Sequence, residues 1–148
     1  MKHLRYTVGA IYTIVCDMSL RDEFQKGRDY PVIKKTIKEL AIELTIETTE
    51  ICDRIKGRNA YIYQLQRSCS SIGANAHEAR YAQSDADFIH KMEIALKECY
   101  ETEYWFEILY KTGSFTLDEY TKLNNKCGSI RRKLIASITT VKKRVEPI

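Results

Sequence analysis

Residues 64–88 read QLQRSCSSIGANAHEARYAQSDADF, and the fold turns on this stretch. Ile62, Leu65, Cys69, Ile72, Ala76 and Ala79 recur in steps of three and four, a spacing that returns to one face of a helix. Around them, Ser68, Ser70, Ser71, Gly73 and Ala74 strip the middle of side-chain bulk. A glycine inside a helix costs roughly 1 kcal/mol relative to alanine, so Gly73 is expected where a neighbouring element presses close. Three strongly polar residues, Arg67, Asn75 and Glu78, stand among the small ones. The stretch reads as a tight packing joint with a polar clamp.

The same period extends outward in both directions. Upstream, Ile33, Ile37, Leu40, Leu44, Thr48, Ile51 and Ile55 share one phase, predicting a helix that starts at Pro31 and stops at Gly57. The helix of the opening stretch is expected to end near Gln83. Ser84 with Asp87 then resembles a capping box, opening a third helix along Phe88, Met92, Ala95, Cys99, Thr102, Phe106 and Leu109 that stops at Thr112-Gly113. Thr116 and Glu119 form a second box before a fourth helix through Tyr120, Leu123, Cys127, Ile130, Leu134, Ser137 and Val141. Helices of roughly 35 to 40 Å joined by short connections predict an all-α fold, an antiparallel up-down-up-down four-helix bundle. The bundle is assigned to residues 29–148 and residues 1–28 to an N-terminal extension. That extension carries Lys2, His3 and Arg5 before a short apolar run, Val8 to Val15. The run is far below the roughly 20 residues a membrane span needs, and Asp17 interrupts it before any signal cleavage site. Met18 is a plausible alternative start.

With 148 residues the chain can bury a core without disulfides. Its five cysteines, Cys16, Cys52, Cys69, Cys99 and Cys127, are scattered and odd in number, which argues against a disulfide framework or zinc knuckle and suits a reducing cytoplasm. The net charge of +4 hides an asymmetry: residues 85–119 hold nine acidic against three Lys/Arg, and residues 120–148 eight Lys/Arg against one acidic. Adjacent helices of opposite charge can complement one another, or the basic one can face nucleic acid. For the second role the candidates are Lys34, Lys35 and Lys38 on the first helix, and Lys122, Lys126, Arg131, Arg132, Lys133, Lys142, Lys143 and Arg144 on the fourth and its tail. Such a patch binds phosphates by charge and shape rather than base sequence.

Catalytic and metal chemistry find little support. A di-metal bundle centre wants two Glu-x-x-His repeats, and the one near match, Asp87 to His90, has no second copy. Ser71 and His77 lie six apart, on opposite sides of a helix, and no elbow presents a serine. Gly73 stands alone, so there is no phosphate loop. No enzymatic activity, metal or cofactor is expected. On the third helix, Glu98, Glu101, Glu103 and Glu107 form an acidic ladder that serves either as a solvated face or as a source of partners for Arg67. Pairing of Arg67 with Glu98 or Glu101 would set helix register, and its loss would then cost several kcal/mol. Ile42, Ile46, Ile94, Tyr104, Trp105, Ile108 and Ile135 lie off the core stripes and imply a second buried surface, hence self-association.

Arg67, Ser71, Ile72, Ala74, Asn75 and Glu78 match the pattern Arg-x-x-x-Ser-Ile-x-Ala-Asn-x-x-Glu. With Asp87-Phe88-Ile89-His90-Lys91, Ile94 to Glu98 and Glu101 to Trp105, they resemble the bacterial four-helix bundle proteins encoded within intervening sequences of 23S ribosomal RNA genes. The resemblance spans about residues 32–143. It implies a bundle that assembles as a homopentamer, with ribosomal RNA the natural candidate partner. The family is similar to the accessory variability determinant of diversity-generating retroelements, which implies nucleic acid and a reverse transcriptase as partners. Arg67, Ser71, Ile72, Asn75, Glu78, Glu98, Glu101 and Trp105 are read as structural motif positions.

Overall fold

The computed structural model describes residues 35–145. The assigned extension at residues 1–28, Pro31 and Lys34 lie outside the described residues. Four helices follow in order: α1 (Ile37–Cys52), α2 (Asn59–Ala79), α3 (Asp85–Lys111) and α4 (Leu117–Val145). No strand occurs among the described residues, and none of the helices is long and apolar enough to cross a membrane. Each is packed against its chain neighbour, and α1 against α4 closes the circuit. The four apolar stripes therefore converge on one core, as in a helical bundle.

Helix boundaries follow local chemistry. At the start of α1, Thr36 is extended (φ −69°, ψ 163°) and forms a full capping box with Glu39: Thr36 Oγ1 accepts from the Glu39 N–H at 3.2 Å and Glu39 Oε2 from the Thr36 N–H at 2.8 Å. This corrects the expected start at Pro31, because a reciprocal cap satisfies two of the orphan N–H groups that a bare proline leaves open. The expected stop at Gly57 also moves back. Regular helix ends at Cys52, and the Arg54 and Ile55 N–H groups instead reach Ile51 and Cys52 carbonyls three residues behind. Likewise α2 ends at Ala79 rather than near Gln83, with Arg80, Tyr81 and Ala82 continuing in tight i−3 bonds. Both later caps form: Ser84 accepts from the Asp87 N–H, and Thr116 and Glu119 bond reciprocally.

The third predicted stripe is buried at every position from Phe88 to Leu109. Leu44, Leu65, Ile72, Leu123, Ile130, Leu134 and Val141 are sealed with it. Burying a side chain of this size stabilises by about 1.5–3 kcal/mol, against roughly 0.2–1 kcal/mol for an exposed ion pair, so the apolar core carries the fold. Cys52, Cys69, Cys99 and Cys127 are all buried free thiols. Burial pushes Cys52 and Cys69 up to about 11, and a hydrogen bond to Cys99 together with burial pushes Cys127 far up, so these thiols pack rather than react. Two hydroxyls share the core by bonding each other, Thr102 Oγ1 to Ser68 Oγ at 3.0 Å across α3 and α2.

Gly73 sits where α1 crosses α2: a β-carbon built there would stand 3.2 Å from that of Ala41. The seam continues at Cys69, whose sulfur lies 3.8 Å from both Thr45 and Thr48 hydroxyls. The helix that presses on Gly73 is thus itself small-faced. Gly128 on α4 differs, because an added β-carbon meets only guanidinium ends at ordinary contact distance, Arg132 Nη1 at 3.5 Å and Arg131 Nη2 at 3.8 Å. Gly73→Leu is expected to lower unfolding free energy by about 1–3 kcal/mol through overpacking. Gly128→Ala should raise it by up to about 1 kcal/mol. Urea unfolding of the two variants measures both signs.

Candidate functional site

Residues Tyr61, Gln64 and Arg67 follow one another at i+3 steps along α2, so they share a face. That face meets α3. Arg67 Nε donates to Gln64 Oε1 at 3.1 Å, which aligns the guanidinium along the helix. Its two terminal nitrogens then reach Glu98 Oε2, at 3.5 Å, and Glu101 Oε1, in direct contact. Trp105 Nε1 donates to the same Glu101 oxygen at 3.2 Å. The indole in turn stacks on Tyr61, centroids 5.8 Å apart and 27° between planes, and takes Tyr104 edge-on at 5.0 Å. One carboxylate therefore joins an arginine of α2 to an aromatic cluster shared by α2 and α3. The Arg67 hydrogen bond holds the Glu101 carboxyl below its usual range, and Glu101 raises the Arg67 guanidinium correspondingly.

The remaining motif residues take different duties. Ile72 is fully buried core. Asn75 Nδ2 donates within its own helix to the Ser71 carbonyl at 2.9 Å, and no side-chain hydrogen bond ties it to another helix among the described residues. Glu78 pairs with Lys91 across the α2–α3 turn. Gln64 and Tyr61 were not singled out from the sequence; their i+3 spacing from Arg67 was the available signal.

The basic candidates are largely answered by acids of the chain itself. Lys126, whose side chain is only 18% exposed, bridges Glu43 at 3.3 Å and Glu47 at 2.7 Å on α1. Burial opposes its charge, but the bonds to Glu47 and Glu43 outweigh that and raise it. Lys122 also faces Glu47, at 3.3 Å. From α4 to α3, Arg131 donates to Glu103 at 3.0 Å while its guanidinium lies over Tyr100, Lys142 pairs with Glu93 and Arg144 with Asp85. Lys35 pairs with Glu43. Among the described residues the Arg132 side chain hydrogen-bonds only the Ser129 hydroxyl, and Lys38 and Lys143 are exposed. Lys133 is half-buried. The structure thus brings the α4 cations to the acids of both neighbouring helices and leaves a smaller exposed basic set.

Because Arg67 remains 39% exposed, solvent screens its pairs. Arg67→Ala is expected to cost about 1 kcal/mol at neutral pH rather than several. The folded-state shift of Glu101 is downward, so its contribution is present above the unfolded carboxylate value and is lost as pH falls through the folded one. Denaturant titrations of both proteins at pH 7 and pH 3 should show the difference shrinking in acid.

Comparison with known proteins follows the same residues. The model of the family described as 23S rRNA-intervening sequence protein matches residues 34–136. A solved structure, described as a protein with unknown function from the S23 ribosomal protein family of Bacteroides thetaiotaomicron VPI-5482, is 39% identical. The match covers 70% of this chain and 98% of that one, with a TM-score of 0.66. Among curated proteins none matches. The matched span takes in the Arg67–Glu101–Trp105 joint, the Gly73 seam and most of the four-helix core, and on that ground the chain belongs to the 23S rRNA-intervening sequence protein family.

Proposed function

We propose that this chain is a non-enzymatic, cytoplasmic, homo-oligomeric helical bundle that engages RNA or a ribonucleoprotein through basic surfaces, with ribosomal RNA the natural candidate. The observation that carries the reading is the family match over residues 34–136. An antiparallel up-down-up-down course is supported by the order of the α2–α3 contacts. Glu78, late in α2, pairs with Lys91, early in α3, while Ser68 and Arg67, earlier in α2, meet Thr102 and Glu101, later in α3.

Self-association, pentameric by resemblance, is supported by Ile42 and Ile46 on α1, 47% and 52% exposed, with Ile135 on α4 at 39%. Apolar residues grouped on one element favour a covered surface. For RNA, the cations on the bundle sides best suited to phosphate are Lys38, Arg132 and Lys143, which are exposed, whereas Lys126, Arg131 and Lys142 already hold carboxylates. That same self-neutralisation favours a second reading: a protein-interaction scaffold, accessory to a reverse transcriptase or similar enzyme, that uses its apolar and aromatic faces.

Two measurements test these readings. The intact protein should shift ribosomal RNA fragments in a gel at low salt, weakening steeply as salt rises. The double variant Arg132→Glu/Lys143→Glu should abolish the shift without unfolding the protein. An absence of any shift at low salt would refute RNA engagement and leave the scaffold. Ile42→Asp with Ile46→Asp should convert the oligomer to monomer in light scattering after size exclusion, and a monomeric parent protein would refute self-association.

A further inference from the structure

At one end of the bundle the α1–α2 and α3–α4 turns line an open cavity of about 380 Å³, with Arg54, Lys56 and Arg58 all exposed. Its lining is polar and includes Arg54, Lys56, Arg58, Gly113, Ser114 and Glu119. Three of these six are cations and one is an acid. The acid is already committed. Glu119 Oε2 accepts from the Thr116 N–H at 3.0 Å, and its other oxygen holds Arg54. Lys56 and Arg58 have no carboxylate partner among the described residues. Arg58 only donates to the Thr112 carbonyl, at a long 3.4 Å. The contrast with α4 is direct, since most cations there meet an acid.

The backbone adds an independent sign. Arg58 is the one non-glycine residue with positive φ among those described, at 56°. It follows Gly57, which is also left-handed, at 78°. Side chains with a β-carbon pay to occupy this region and glycine does not. A long cation thus stands at the cavity wall where a glycine would fold with less strain. Residues held in this region cluster at functional sites.

We propose that this end cavity binds a phosphate group, held by Arg58 and Lys56 beside the Arg54–Glu119 pair. A guanidinium presents paired donors that match phosphate oxygens, and an ammonium adds a compact charge. The volume lies at the small end of the roughly 300–1,000 Å³ typical of ligand sites. It admits a phosphate with a small attached group, not a folded polyanion. The phosphate belongs either to a small metabolite or to an RNA strand end threaded in, and the site stands whether or not the sides of the bundle contact RNA.

The test uses the full chain and pyrophosphate as probe, in calorimetric titration at low ionic strength. One pyrophosphate per chain is expected. Arg58→Gly removes the charge and also relieves the backbone, so it should weaken binding at least tenfold while the melting temperature stays level or rises. Lys56→Gln should weaken binding severalfold, and Arg132→Gln, on the side of α4, should leave it unchanged. Equal affinity in Arg58→Gly, or an equal loss in Arg132→Gln, would overturn the site in favour of diffuse surface charge. Competition by a 5′-phosphorylated RNA oligomer but not by its 5′-hydroxyl form assigns the phosphate to RNA. Competition by adenosine monophosphate alone assigns it to a small molecule. Failure of the gel shift with pyrophosphate binding intact would sink the RNA reading and keep this one.

Discussion

The close approach of α1 to α2 at Ala41 and Gly73 is the constraint on which the bundle depends. α1 is the shortest of the four helices, 16 residues against 21, 27 and 29, yet it must cover the open side of a core built by three longer partners. It does so by lying close, and closeness requires that the facing residues be small. Gly73 supplies the gap, Ala41 the complementary surface, and the Thr45, Thr48 and Cys69 side chains the next layer. With α1 seated, Ile37, Leu44 and Cys52 are sealed, and Glu43 and Glu47 come within reach of Lys122 and Lys126 on α4. The α1–α4 ion pairs therefore depend on the α1–α2 seam.

Charge is distributed to serve that packing. The acidic ladder of α3 and the basic run of α4 largely cancel side by side, through Glu93 with Lys142 and Glu103 with Arg131. Each pair is worth little on its own. Together they let an acidic helix and a basic one lie side by side with their charges matched. The Arg67 joint does the equivalent between α2 and α3, with Trp105 and Tyr61 shielding one side of it. What the cancellation leaves over is a modest set of exposed cations on the bundle sides and a more concentrated one at the Arg58 end.

Much of this was legible in the residues. Helix number and the core phase of α3 from Phe88 to Leu109 follow from spacing, since a 3.6-residue period fixes which side chains share a face, while the pairing of Arg67 with Glu98 and Glu101 was one of two readings of the acidic ladder, selected by the packing of α3 on α2. The start of α1 was misread because Pro31 is a generic signal, whereas the Thr36–Glu39 box is a specific one that satisfies donors in both directions. For Asn75, spacing leaves the direction of the side chain open. An amide on a helix can turn inward to its own backbone as readily as outward, and spacing does not distinguish the two.

By itself, then, the sequence determined the helices, their buried faces and the family, all properties of one segment at a time. The tertiary structure decided which charges are already spent. Lys126 and Arg131 look as available as Arg132 along the chain, and only the side chains opposite them show that two hold carboxylates and one does not. It also decided where Arg54, Lys56 and Arg58 end up. Those three flank a glycine in an unremarkable turn, and they line a cavity because a second turn, 112–114, folds against them from across the bundle. Coulomb interactions act over a few ångströms regardless of sequence separation, so the balance of charge at any point on the surface is set by what the fold brings there.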